Sequence, residues 1–276
     1  MKHGAKRLLI RPSPKSDESL PGYLLRLTEA NAYDSPAVIL ALSGVKNRKN
    51  LLSHASYIAT GQAEITAVAH IINKTSTTIS DLVYKTDYSG PMKSIYIGAA
   101  VVHRSYIAAD TPSVCPQCLA EDPYHRRLWD IAPYTACHKH TIQLCDVCHA
   151  CSAQLSWARS AVARCRCGAD LRLVRSPTVA EDELVVSRMV AECVDTGSVA
   201  SHPLIRDLAS LRAILHMGYM LTKKRPWAET ELRPGDTPIL ARHQEIVEAF
   251  SPFVHWPTNF RAFLRAGPKK IVERFQ

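Results

Sequence analysis

Eight of the nine cysteines of this 276-residue chain fall between Cys115 and Cys167, and Cys193 stands apart. Seven of the eight, with His140, form two-ligand corners at metal-ligand spacing: C-P-Q-C at 115–118, C-H-K-H at 137–140, C-H-A-C at 148–151 and C-R-C-G at 165–168. Thiolates at Cys-x-x-Cys spacing can both reach one Zn²⁺ at about 2.3 Å, because the short turn points the two side chains the same way. Two such corners from separate pieces of chain close a tetrahedron. Taken in order, the corners predict a first site of Cys115, Cys118, Cys137 and His140, and a second of Cys148, Cys151, Cys165 and Cys167. The expected cofactor is Zn²⁺, two ions per chain. Gly168 follows the last ligand, where positive φ would turn amide N–H groups toward sulfur. Cys145 begins a further C-D-V-C, but Cys148–Cys151 is followed by S-A-Q-L, which resumes strand-like alternation, so Cys145 is left out of the frame. His138 and His149 are adjacent alternatives to the assigned ligands.

A disulfide framework suits small secreted domains. Residues 1–14 hold charge and proline but no apolar stretch of the kind a signal peptide needs, so a reducing, cytoplasmic setting is expected. Catalytic zinc fits less well. Four protein ligands leave no position for water, no H-E-x-x-H occurs, and no H-x-E or C-x-E precedes the P-C-x-x-C as a deaminase requires. No catalytic residue is assigned and no enzyme is expected. Each ion would hold the fold, at on the order of 10–16 kcal/mol of apparent folding free energy, by analogy with zinc-finger peptides.

The elements that must position these corners divide the chain into three. Residues 1–111 are expected to form an N-terminal helical, helix–turn–helix-like domain, 112–176 a tandem zinc-ribbon module, and 177–276 a C-terminal helical domain. The fold class is mainly α with small β zinc ribbons. After an extended basic arm to Lys15, Ser19 is the expected N-cap of a helix with Pro21 in its first turn and Leu20, Tyr23, Leu24, Leu27 and Ala30 on one face. A second helix should run from Ser35-Pro36 to a stop at Gly44, followed by a basic loop with Lys46, Arg48 and Lys49. Ile65, Val68, Ala69 and Ile72 predict a third helix, and N-K-T-S leads to a short fourth through Ile79, Leu82 and Val83. If that last helix entered a major groove, Thr77, Thr78 and Ser80 would face bases and Lys74 a phosphate; a hairpin packed internally gives the same pattern. Residues 85–113, with I-Y-I-G-A-A-V-V, read as irregular connection carrying an apolar patch.

Within the zinc region, Leu128 and Trp129 are expected to roof the small core, Arg126 and Arg127 to offer a contact surface, and Arg159, Arg164, Arg166, Arg172 and Arg175 to decorate the second site. Past Pro177, helices are expected from the E-D-E-L start, across Leu204–Leu221 with Leu208, Leu211, Leu215 and Met217 as core, and through Ile239–Phe250; K-K-R-P-W at 223–227 separates the last two. His216, His243 and His255 have no ligand-like neighbours, and Cys193 reads as a small buried residue. Net charge is +9, with +5 in residues 1–111, +3 in 112–176 and +1 in 177–276, a front-loaded balance that suits a nucleic-acid partner. No run of about 18 apolar residues occurs, so no membrane partner is expected.

The order E-S-L-P-G-Y-L-L-R-L, then C-P-Q-C-L-A-E-D-P-Y-H-R-R-L-W-D-I-A-P-Y-T-A-C-H-K-H-T-I-Q-L, then C-H-A-C and C-R-C-G-A-D-L, with W-P-T-N-F-R-A-F-L near the end, resembles the TniQ/TnsD family over roughly residues 16–265. The family's ligands map onto the eight residues assigned above, while Cys145 stands where the family usually has an apolar residue. The resemblance implies a bacterial, non-enzymatic target-selection adaptor. Its implied partners are an AAA+ transposition regulator (TnsC/TniB-like), double-stranded DNA and, in some systems, a CRISPR effector complex, with a homodimer as one assembly state. The near-neutral last third leans toward the RNA-guided or accessory role. The alternative from another class is a zinc-containing, sequence-specific transcription regulator that needs no ATPase.

Overall fold

The computed structural model describes residues 7–45, 62–84, 86–87, 94–108, 111–223 and 237–266. The expected basic loop of Lys46, Arg48 and Lys49, and most of the K-K-R-P-W break, lie outside these residues.

Helix α1 (Leu20–Ala30) is apolar around most of its circumference, and both of its sides are covered. Leu20, Tyr23, Leu24 and Leu27 pack with Ile39 and Leu40 of α2 (Pro36–Leu42), with Val68, Ile72 and Ile79 from the two helices that follow, and with Leu82 just past them. Leu25 faces the other way, into a larger cluster built from sheet, metal region and C-terminal helices. Gly22 permits the close approach there, since a Cβ at that position would meet His125 Cβ at 2.8 Å. Pro21 sits in the first turn as expected, but Ser19 caps with its backbone alone, and its buried Oγ has no partner. At α2, Ser35 Oγ accepts from Ala37 N at 3.2 Å. That helix stops where Gly44 takes φ +74°, with Val45 N donating back to Leu40 O at 3.1 Å.

Helices α3 (Gln62–Ile72) and α4 (Ser76–Ser80) meet through Asn73, which adopts φ +54°. Thr75 then caps α4 by accepting from Thr78 N. Their shared seam of Ile65, Val68, Ala69, Ile72, Ile79, Leu82 and Val83 is buried as the spacing predicts. With five residues, α4 is about 7.5 Å long.

Residues 85–113 contain a sheet where irregular connection was expected. Strands β1 (Thr86–Asp87), β2 (Ser94–Ile97) and β3 (Ala100–His103) pair antiparallel in that order. The apolar patch is a hairpin: Ile95, Ile97, Ala100 and Val102 are buried, while the cross-strand pair Tyr96 and Val101 is exposed. Alternation at period two was present in the sequence, and Gly98 opens a two-residue turn of a favoured hairpin kind, but each strand is only four residues. The tip is gripped from outside, with Ala99 N donating to Val194 O at 2.9 Å. A Cβ on Gly98 would lie 2.4 Å from that same carbonyl.

Beyond the metal region, α6 (Glu181–Thr196) opens on three acids and ends at Gly197 with φ +83°. Helices α7 (Leu208–Lys223), α8 (Ile239–Phe250) and α9 (Thr258–Arg265) follow, and α5 (Pro116–Glu121) lies earlier, in the metal region. Leu208, Leu211 and Leu215 are buried, but Met217 is 39 % exposed and is not core. One apolar cluster includes Ile95, Val102, Trp129, Val190 and Phe250, and so runs across residues 111–112 and 176–177. Helices α7 and α8 cross at Gly218, where a Cβ would fall 2.0 Å from Ala249 O. Backbone cannot give way cheaply, so Gly218→Ala should cost about 1–3 kcal/mol, read as a lowered urea midpoint at unchanged slope.

Candidate metal centres

Each predicted corner is made by a small local structure that turns two donors inward. Cys115 stands at the N-terminus of α5, where its Sγ accepts from Cys118 N at 3.5 Å. Cys137 ends β4 (Ala136–Cys137), and β5 (Ile142–Gln143) returns beside it, leaving His140 in the turn between them. The Cys148–Cys151 turn is flanked by a bridge between Val147 and Gln154, and the Cys165–Cys167 turn by one between Arg164 and Asp170. Three corners are followed by a residue of positive φ: Thr141 at +53°, Ser152 at +56° and Gly168 at +91°. Gly168 alone announced this in the sequence.

The corners converge in the predicted pairs. Cys115, Cys118, Cys137 and His140 form one group and Cys148, Cys151, Cys165 and Cys167 another, each with donor atoms within 4.8 Å of one another. In the first, His140 Nδ1 lies 3.4, 3.3 and 3.4 Å from the sulfurs of Cys115, Cys118 and Cys137. One ring nitrogen cannot serve three thiols by hydrogen bonding, whereas a cation at the centre satisfies all four donors. The Cys118–Cys137 separation of 3.6 Å, and the 3.7 and 3.8 Å separations of Cys148–Cys167 and Cys151–Cys165, match the ~3.8 Å edge of a tetrahedron with ~2.3 Å metal–sulfur bonds.

Electrostatics agree. Without a cation, the Cys115 and Cys118 thiols hydrogen-bond to Cys137 and hold it far below the usual thiol range, while Cys118 is pushed up by its contacts with Cys115 and Cys137. Such crowded thiols cannot all ionise unless positive charge sits among them. Both groups therefore fit a four-coordinate metal ion.

Two surrounding features were not legible in the sequence. Glu121, at the end of α5, accepts from His140 Nε2 at 2.8 Å, which leaves Nδ1 free to face the sulfurs. Beneath the first group, buried Asp130 accepts from Tyr84 OH at 2.6 Å and His125 Nε2 at 2.8 Å, tying the end of the N-terminal helices to the metal region. Trp129 is buried in the same apolar cluster as Cys115, Cys118 and Cys137, and Leu128 packs against that cluster.

The alternative ligands are otherwise placed. His138 Nδ1 meets Tyr134 OH at 2.9 Å, His149 is exposed, and the Cys145 thiol donates to Val147 O at 3.0 Å, its pKa pushed up to about 11 by burial.

The residues expected at a contact surface have internal partners. Arg127 Nε donates to Glu18 O at 2.9 Å and its Nη2 to Asp81 O just past α4, so this side chain clamps the two layers together. Arg126 lies over the Tyr124 and Trp129 rings at 4.3 and 5.1 Å and is half-buried. Lys74 Nζ reaches Ser13 Oγ at 3.4 Å, Thr77 and Thr78 hydroxyls both contact Thr75 Oγ1, and Ser80 is half-buried. Arg159 is not a surface decoration: it is 1 % exposed.

No described helix is long and apolar enough to cross a membrane. Residues 9–144 match the family model TniQ, a span that holds α1, the described N-terminal helices and the whole of the first metal group, and ends before the second. A comparison with curated proteins finds no match.

Proposed function

We propose that this chain is a non-enzymatic target-selection adaptor of a transposition system, in which two Zn²⁺ ions hold a rigid platform for other macromolecules. The TniQ similarity over residues 9–144 supports a general transposition-associated adaptor role. The observation that carries the reading is that this matched segment is one packed unit: Arg127, Gly22 and the Tyr84–Asp130–His125 network join the N-terminal helices to the first metal group. With four protein donors, each tetrahedral centre has no position for a reacting water, so the metals serve structure. In this reading the front two thirds, with most of the net positive charge, meets double-stranded DNA, and the chain recruits an AAA+ regulator to a site chosen by its own contacts or by a CRISPR effector complex.

The test is co-assembly of the purified chain with an AAA+ transposition regulator, ATP and duplex DNA, alongside zinc quantitation. Two zinc per chain with ATP-dependent co-assembly is expected. Sequence-selective duplex binding with no regulator binding would instead favour a transcription regulator, for which the α3–turn–α4 pair is the supporting feature. Arg126→Ala should weaken duplex binding and reduce the salt slope by about one. Arg127→Ala should chiefly lower thermal stability, because the Glu18 and Asp81 carbonyls lose their donor. Unchanged salt dependence in Arg126→Ala would remove that residue from the interface.

A further inference from the structure

Arg159 is a buried cation with no carboxylate. Its Nε donates to Ala161 O at 3.2 Å, Nη1 to Ser156 O at 2.6 Å and Nη2 to Val162 O at 3.4 Å, and its guanidinium lies 5.7 Å from the Trp157 ring. Among the described residues no acidic group pairs with it. Carbonyl oxygens satisfy its N–H groups but do not neutralise its charge, and an uncompensated buried charge costs several kcal/mol, on the order seen when one partner of a buried pair is removed. Something nearby must be negative.

Glu29 Oε2 accepts from Val162 N at 3.4 Å on the same loop, and the second metal group lines the same cleft as the guanidinium. Arg159, Cys165, Cys151 and Cys167 line one cleft of about 340 Å³. Four thiolates around one divalent ion leave two negative charges, whereas the three-thiolate, one-imidazole first group leaves one. Correspondingly, the first group has a carboxylate behind its histidine, and the second has a guanidinium beside it.

We infer that Arg159 is the electrostatic counterpart of the all-cysteine centre, a positioning residue whose charge stabilises the doubly negative metal–thiolate group while its N–H groups brace the Ser156–Val162 loop. This rests on the second group binding metal. A guanidinium keeps its charge at neutral pH. The reciprocal is that the second centre needs this charge to hold its metal.

The test is metal affinity at each centre of the metal-loaded 276-residue chain in wild type, Arg159→Gln and Arg159→Lys. Competition with a chromophoric chelator measures affinity. Cadmium-113 resonances, which differ with thiolate number, assign each loss to a centre. Arg159→Gln keeps an amide donor for the loop but not the charge, and should weaken the second centre about 10–100-fold while leaving the first unchanged. Arg159→Lys keeps the charge, with three donors on its ammonium, and should stay close to wild type. Equal affinity in the two variants, whether both intact or both lost, overturns the inference: the residue would then be neutral to the metal or act only through the loop. Absence of any metal from the second centre of the wild-type protein removes the premise instead, and the wild-type resonance alone reveals that case.

Discussion

Replacing Cys137 by serine should release one of two metal ions and unfold the protein, not merely loosen a loop. Cys137 is 1 % exposed and, with Cys115 and Cys118, belongs to the large apolar cluster that also holds Trp129, Val190 and Phe250. Losing a structural Zn²⁺ removes on the order of 10–16 kcal/mol of apparent folding free energy, comparable to the ~5–15 kcal/mol by which ordinary domains are stable. The same change at Cys167 should be milder, because Cys151 and Cys167 are exposed and the second group lies at the margin of that cluster. Zinc content and thermal melting of the two variants check this directly. A Cys137→Ser protein that retains two zinc ions and a wild-type melting temperature would show that another donor completes the first centre.

Asp130→Ala is expected to be the most damaging change at a residue that is no metal ligand. The Asp130 carboxylate is fully buried and receives both the Tyr84 hydroxyl and His125 Nε2. Removing it takes an acceptor from two buried donors at once. At ~1–3 kcal/mol for each buried polar group left unmatched, the loss should total about 2–6 kcal/mol. Because His125 Nδ1 already lacks a partner, the ring has no second bond to hold it between the Trp129 and Trp157 edges. Urea denaturation gives the number, and the double variant Tyr84→Phe/Asp130→Ala separates the two contributions. A loss below about 1 kcal/mol would mean that water replaces the carboxylate at no cost.

What could be read in advance was what the chain encodes locally. The four corners were visible because each is a two-ligand turn within four residues, and their pairing followed from chain order. The boundaries of α1, α2 and α6 likewise followed from Ser35, Pro21, Gly44 and the acids at 181–183. What escaped depends on partners distant in sequence. Arg127 looked like a free basic residue because its acceptors are the carbonyls of Glu18 and Asp81, and no residue type marks a carbonyl as a partner. Arg159 looked like its neighbours Arg164 and Arg166, yet burial separates it from both. The Ile95–Val102 hairpin was hidden by shortness: with four residues per strand, an apolar patch and a strand pair look alike until the opposing Val190 face is in place. Met217 stands about 160° around α7 from Leu215, off the Leu208–Leu211–Leu215 stripe, and no described residue buries it.

The grip of α6 on the hairpin tip has a consequence for the order in which the chain folds. Ala99 and Val194 stand on either side of the entire metal-bearing segment, so their contact closes it into one long loop. Closing a loop costs entropy that grows with its length, though slowly, and long-range contacts of this kind slow folding. The metal corners close much shorter loops. Ions bound at the two groups would draw 115–140 and 148–167 together, so that the distance the hairpin and α6 must search is set by a compact body, not by free chain. Metal supply would then set how fast the N- and C-terminal thirds find each other, which refolding with and without added zinc measures.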